Sequence, residues 1–311
     1  MIKKIKLYFH QFYWYRFLRQ KIYKISVLKN PKVEANRTYY SVFKKNINWD
    51  NPKNLIEKIY WLQFNTDTSL WTKCADKYLV RDYVKECGYE NNLAKLYGKW
   101  DIIDDIDFLK LPRQFVLKAN NGCGTVMIVR NKEDLNIKET KKKLKRWLNL
   151  PYGYNGAQLH YTKIKPYIIA EELLENKKED MLNNSNVLID YKIWCINGEP
   201  DAIIVVYDRT ETNYSLSAFD LDWNNISEFV LETSQGTYGG IGIEKPKSLG
   251  KLIEMAEKLS EGIPQVRVDL YEVNGKPVFG EMTFTTGYGD ESLEYFEYLG
   301  SKIDLSKIKK K

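Results

Sequence analysis

The chain has 311 residues, enough for one large or two to three small domains, and its 43% hydrophobic and 14% aromatic content is that of a folded protein. Its net charge of +7 is uneven: residues 1–33 hold nine Lys or Arg and no Asp or Glu, leaving 39 basic against 41 acidic residues in the other 278. A nucleic-acid groove running through the fold is therefore not expected, and with only His10 and His160 present, neither is a histidine triad or a histidine-rich metal centre. Cys74, Cys87, Cys123 and Cys195 lie far apart without a CxxC pattern, which suits a reducing compartment. Carboxylates, lysines, arginines and a hard metal remain as the means of any chemistry.

The first thirty residues alternate apolar, aromatic and basic positions. They are too broken by charge for a signal peptide or a spanning helix. As an amphipathic helix they would lie on an anionic membrane surface or pack their aromatics on the body; both readings stand. A helix is expected over Lys53 to Gln63, and another over about Ala75 to Cys87, placing Lys77 and Arg81 on one face. Asp101 to Asp107 reads as an acidic linker. Phe115-Val116-Leu117-Lys118, Asn120-Asn121-Gly122-Cys123-Gly124-Thr125 and Val126 to Val129 read as strand, glycine loop, strand. Such a loop presents backbone N–H groups to a polyphosphate, with Lys118 adding charge, or is a plain hairpin with a solvated lysine. No Gly-Lys-Ser/Thr follows, so it is not a Walker A loop.

Residues 133–149 form a basic helix. Tyr167 to Leu174 is a strand run meeting Glu171 and Glu172, followed by a polar loop, Glu175 to Ser185. Leu188 to Ile196 and Pro200 to Tyr207 form a hairpin across Asn197-Gly198, with Asp190, Lys192 and Trp194 on one face. Asp208-Arg209 ends it. Another strand, Ser215 to Leu221, a glycine-rich stretch, Gly236 to Gly242, and a helix over 247–260 follow.

The last hairpin, Gln265 to Val273 and Pro277 to Phe284, flanks Asn274-Gly275 and places Arg267, Asp269 and Tyr271 on one face. A plain two-residue turn would set Asp269 opposite Gly280 and aim Glu281 away. A three-residue turn with a bulge would pair Asp269 with Glu281 and Arg267 with Thr283. The second is expected, because two facing carboxylates on rigid strands make a magnesium site. The loop Thr285 to Gly289, a short helix from Leu293 to Leu299 and a basic tail complete the chain.

Six stretches in order, ADKYLVRDYV, LPRQFVLKANNGCG, IKPYIIAEELL, DYKIWCINGEP, DLDW and VRVDLYEVNGKPVFGEMTFT, resemble the TupA-like ATP-grasp family, common among bacterial surface-polysaccharide enzymes. The resemblance implies an α+β ATP-grasp fold in which two subdomains with antiparallel sheets clasp ATP. On this chain it implies a basic aromatic segment (1–50), a helical region (51–110), a small subdomain with the glycine loop (111–174), a large subdomain with the metal site (175–300) and a tail (301–311). It implies that Lys77, Lys118, Asn121, Gly122, Gly124, Thr125, Glu171 and Glu172 bind ATP. Asp269 and Glu281 would ligate Mg2+, with Thr283 where many relatives carry Asn. Lys192, Arg209 and Arg267 would contact substrate, phosphate or transition-state charge.

The implied reaction is ligation of a carboxylate to an amine through an acyl phosphate, with ATP and Mg2+. The family context adds a glycan or uronic-acid carboxylate, an amino-acid amine and a role in capsule or other surface-polysaccharide biosynthesis. It fits a cytoplasmic protein, peripheral on the inner face of the cell membrane through residues 1–30. A glycosyltransferase using the DxD at Asp220-Leu221-Asp222, an ATP-dependent glycan kinase and a non-catalytic binding protein are the alternatives.

Overall fold

The computed structural model describes residues 13–177, 187–210, 213–233, 236–238, 243–287 and 291–311. Residues 1–12, most of the polar loop after Glu175, residues 239–242 of the glycine-rich stretch and residues 288–290 lie outside them. Two units emerge. The first comprises the chain through Ile47 with Asp76–Tyr78 and Lys95–Leu173; the second comprises Asn48–Ala75, Leu79–Ala94 and Leu174–Lys311.

In the first unit, helices α1 (Tyr13–Lys29) and α2 (Pro31–Phe43) are separated by Asn30, whose side chain accepts from Lys32 N and caps α2, with Pro31 in its first turn. The sheet is antiparallel, in the order β1 (Leu96–Trp100), β4 (Ile168–Glu171), β2 (Phe115–Ala119), β3 (Val126–Val129). Phe115, Leu117 and Ala119 alternate inward along β2 and join Val129, Ile168 and Ala170 in one core. Leu144, on the basic helix α6 (Ile137–Leu148), closes it. The acidic stretch before β2 is no open linker: Ile103 and Ile106 are buried in the same core.

His160 is wholly buried in this unit, its ring 4.3 Å from that of Tyr161. Burial holds its pKa down to about 3, with Lys163 adding to the effect. The unfolded chain therefore takes up the proton first as pH falls below the ordinary histidine value, and stability is lost from there toward about 3. Replacing the imidazole by a ring that does not titrate is expected to abolish roughly 2 kcal/mol of the stability lost between about pH 7.5 and about pH 5. Urea unfolding of His160→Phe against wild type at both pH values measures this; parallel losses in the two proteins would refute it.

The second unit is built on a six-stranded sheet in the order β10 (Lys276–Thr283), β9 (Gln265–Val273), β5 (Asp190–Ile196), β6 (Glu199–Tyr207), β7 (Tyr214–Phe219), β8 (Gly236–Tyr238). All its pairs are antiparallel except β7 with β8. Helix α7 (Leu249–Ser260) packs Leu252, Met255, Ala256 and Leu259 on one sheet face, against strands β5, β6, β9 and β10. Ile193, Cys195, Val268 and Leu270, all fully buried, point that way by period two. The opposite face carries the polar residues described below. Helix α3 (Leu55–Asn65), capped by Asn54, also belongs to this unit, as does α8 (Leu293–Ser301), capped by Ser292.

The helix expected over Ala75 to Cys87 is two short helices, α4 (Ser69–Ala75) and α5 (Val80–Glu86), with a turn between them. Asp76 Oδ1 accepts from Tyr78 N, and Lys77 N donates to Asn120 O rather than to a helical carbonyl. Lys77 thus lies in the turn and Arg81 in α5, so they do not share a helix face; Arg81 donates to Ala94 O.

Candidate active site

Strands β5, β9 and β10 bring one polar cluster together. Lys192 lies opposite Asp269, Asp190 opposite Tyr271 and Trp194 opposite Arg267. Asp269 pairs with Glu281 and Arg267 with Thr283, as expected, but the device differs. The turn has two residues, Asn274 and Gly275, both with positive φ, and pairs Val273 with Lys276. The bulge sits farther along, between Phe279 and Glu281. Gly280 occupies it, and a Cβ there would lie 2.7 Å from Asp269 O. The bulge inverts the phase of β10, so Glu281 and Thr283 face the same way as Asp269.

Asp269 is 2% exposed and surrounded by cations. Arg267 donates to it as a fork, Nε to Oδ1 at 2.8 Å and Nη2 to Oδ2 at 2.9 Å, and Lys192 Nζ meets Oδ2 at 2.5 Å. Lys192 also lies 2.6 Å from Asp190, whose carboxylate has Arg209 at 3.8 Å. Burial works against the Lys192 ammonium, but Asp190 and Asp269 outweigh it and hold its pKa above the ordinary value. Burial likewise opposes the Arg267 charge and Asp269 overrides it. Burial raises the Asp190 carboxyl, with Lys192 pulling the other way, and the nearby charge of Asp190 raises the Tyr271 phenol. Spacing alone does not point to Thr286, whose Oγ1 accepts from Arg267 Nη1 at 3.0 Å, or to Trp194 as a support for Arg267, whose guanidinium carbon lies 5.9 Å from its ring centroid.

In the first unit Lys118 and Glu171 share one face of the sheet. Lys118 pairs across with Ile169, and Glu171 with Val116, so the two are diagonal neighbours; Nζ donates to Glu171 Oε2 at 2.9 Å. Val126 and Ile128 continue that face on β3 and are about half exposed. The glycine loop joins β2 to β3. Asn120 anchors it, donating its N–H to Tyr167 O and its Nδ2 to Lys165 O while accepting from Tyr167 N. Lys77 Nζ donates to Gly122 O at 3.0 Å, so this lysine braces the loop. Tyr152 lies so close to Gly122 that a Cβ there would meet its ring at 2.7 Å. Asn121 and Thr125 are buried, and Thr125 Oγ1 has no hydrogen-bond partner among the described residues. Glu172 is exposed; its N–H donates to Lys95 O at 2.8 Å.

A family model described as TupA-like ATP-grasp matches residues 57–304, well over half of the chain. The chain belongs to the TupA-like ATP-grasp family. No curated protein matches it. Among solved structures it is similar to the D-alanine–D-alanine ligase of Bacillus anthracis complexed with ATP, at 15% identity and TM-score 0.43, over 76% of this chain and 64% of that one. It is similar to the phosphoribosylamine–glycine ligase of Thermotoga maritima, at 14% identity and TM-score 0.42, over 71% and 50%. An ADP complex of N5-carboxyaminoimidazole ribonucleotide synthetase gives 10% identity and TM-score 0.44, over 74% and 51%. The matched region thus spans between half and two thirds of those chains, and the family match carries the assignment. The α+β architecture, with one antiparallel sheet, one sheet made mixed by the parallel β7–β8 pair, and N-terminal helices, is that of an ATP-grasp protein, a family that binds ATP.

ATP-grasp proteins typically use Mg2+, and the donors fit it. They are hard oxygens: the Asp269 and Glu281 carboxylates with the Thr283 hydroxyl beyond them. Asp269 Oδ1 accepts only from Arg267 Nε among the described residues, leaving a lone pair, and Asp190 Oδ1 is buried without a donor. No group of three or more His, Cys, Asp or Glu that could hold a metal by itself occurs among the described residues. Mg2+ is ordinarily held by one or two carboxylates together with substrate phosphates.

Proposed function

We propose that this ATP-grasp protein activates a carboxylate with ATP and joins it to an amine. The observation that supports this best is the β9–β10 register, which gives Asp269 and Glu281 one face beside Lys192 and Arg267. The chemistry supplied by Mg2+ would be positive charge that offsets the ATP phosphates. Asp269 and Glu281 would hold the ion, with Thr283 as an additional oxygen. Lys192 and Arg267, kept charged by their carboxylate neighbours, would neutralise charge developing on the transferred phosphoryl group. Arg209, half exposed at the margin of the cluster, would take a substrate carboxylate or phosphate. In the first unit, Lys118 and the loop amides of Asn121, Gly122, Gly124 and Thr125 would bind phosphate oxygens. Glu171 and Glu172 would accept from the ribose or adenine side, and Lys77 would hold the loop in shape.

In the reaction a substrate carboxylate oxygen attacks the γ-phosphorus and ADP leaves. The amine nitrogen then attacks the acyl carbon, phosphate leaves, and the amine gives up a proton. No protein nucleophile is needed, which suits a chain with two histidines. The family's setting makes a uronic acid of a surface glycan the candidate carboxylate and an amino acid the candidate amine. The DxD gains no support, because Asp220 is occupied as a turn cap. It accepts from the main-chain N–H groups of Asp222 and Asn224 and from the Asn224 side chain, which holds its pKa down.

ADP release with uronic-acid glycans and amino acids, followed by product mass, tests the reading. ADP formed with glycan alone would make the protein a kinase, and no ATP binding would overturn it. Lys118→Ala is expected to weaken ATP binding by about tenfold to a hundredfold, the size of a lost charge-assisted hydrogen bond. Titration calorimetry measures this; an unchanged affinity would remove Lys118 from the site.

A further inference from the structure

Helix α1 has two faces of different character. One packs on the body of its unit: Val27 is buried, Tyr23 is half-buried beneath the Arg37 guanidinium of α2 at 4.9 Å, and Lys24 reaches the Tyr154 ring at 5.6 Å. The other face carries Leu18, Ile22, Ile25 and Leu28, which are 50%, 62%, 56% and 71% exposed. Their spacing of four, three and three residues sets them in one stripe along the helix. Lys21 and Lys29 project among them, both exposed, and the helix has no acidic residue. No helix among the described residues is long and apolar enough to cross a membrane.

We infer that this stripe docks the protein on a membrane surface that carries anionic lipid. Apolar side chains and lysines sharing one exposed face call for a surface that is apolar beneath and negative at its rim. A bilayer with anionic headgroups has that order: the isoleucines and leucines enter the acyl boundary while the lysine stems lie along it and the ammonium groups reach phosphate. A second copy of the stripe fits worse, because lysine would face lysine. The anchoring of α1 through Tyr23 and Lys24 makes the stripe a fixed face of a folded unit. Of the two expectations for the N-terminal segment, packing accounts for the Val27 and Tyr23 face of α1, and membrane contact is what the inference assigns to the opposite face. The inference is independent of the nucleotide chemistry.

The test is sedimentation of the full chain with phosphatidylcholine vesicles, with and without phosphatidylglycerol, at low and high salt. Binding is expected to the anionic vesicles only and to weaken with salt. The double variant Ile22→Gln/Ile25→Gln is expected to lose at least about tenfold in partitioning, since two apolar side chains no longer leave water. Lys21→Gln/Lys29→Gln is expected to lose about tenfold on anionic vesicles. All four positions are exposed, so circular dichroism and the thermal midpoint should match wild type; the two pairs act on different contributions and serve as checks on one another. Equal binding to both vesicle types, no binding by wild type, or unchanged binding by both variants would overturn the inference. So would a concentration-dependent dimer that the Ile22→Gln/Ile25→Gln exchange abolishes.

Discussion

Asp269→Asn is expected to lower the affinity for ATP in the presence of Mg2+ at least about tenfold, while ATP binding without Mg2+ stays within about twofold. The exchange keeps the volume and removes the negative charge that a divalent ion needs. It also leaves Lys192 and Arg267 facing a neutral amide in a buried site, so stability falls as well, by about 3 kcal/mol or somewhat more. The two effects separate by comparison with Leu270→Ala on the same strand. Leu270 is fully buried on the opposite face, and its truncation costs a similar 2–5 kcal/mol, roughly, through a cavity. Leu270→Ala should keep the Mg2+ dependence of ATP binding in the folded fraction, and Asp269→Asn should lose it. Calorimetric titration of both variants, with and without Mg2+, gives the answer; a normal Mg2+ dependence in Asp269→Asn would remove it from the metal site.

What the sequence reveals about this site follows the range of the interactions. Asn197-Gly198 and Asn274-Gly275 declare hairpins because the turn chemistry is local. Phe115-Val116-Leu117 declares a buried strand because the apolar run is local. The turn at Asp76 was hidden: an aspartate inside a helical pattern looks like any solvated charge, and its break depends on Asn120 O, more than forty residues away. The Lys118–Glu171 contact depends on the registry of β2 with β4, strands separated by the whole glycine loop and basic helix, and only the family resemblance joined them. Thr286 is silent in the sequence because a threonine in a loop has no periodicity to show that it meets Arg267. For α1, composition allowed packing or membrane contact, and telling its buried face from its exposed one required the helix to be placed against α2.

Gly280 is where local sequence and site chemistry meet, and Gly280→Ala is the sharper test of the cluster. Its φ is not among the positive ones, so glycine is needed there for space. An added Cβ would lie 2.7 Å from Asp269 O and 3.1 Å from Tyr271 Cε2, one a backbone atom that cannot step aside. The strand must move, at a cost of about 1–3 kcal/mol. If the bulge straightens, the alternation of β10 slips by one residue and Glu281 and Thr283 turn to the α7 side of the sheet. Gly280→Ala is therefore expected to reduce the Mg2+ dependence of ATP binding at least about tenfold although it alters no polar group. Gly275→Ala is the matched control. Gly275 has φ of 71° and open space around its Cβ position, so alanine there costs about 1 kcal/mol through the backbone alone and leaves β10 in phase. Equal Mg2+ dependence in the two variants would mean that Glu281 does not need the bulge to reach the ion. Loss in Gly280→Ala alone would identify an unremarkable glycine as the residue that turns a β-hairpin into a metal site.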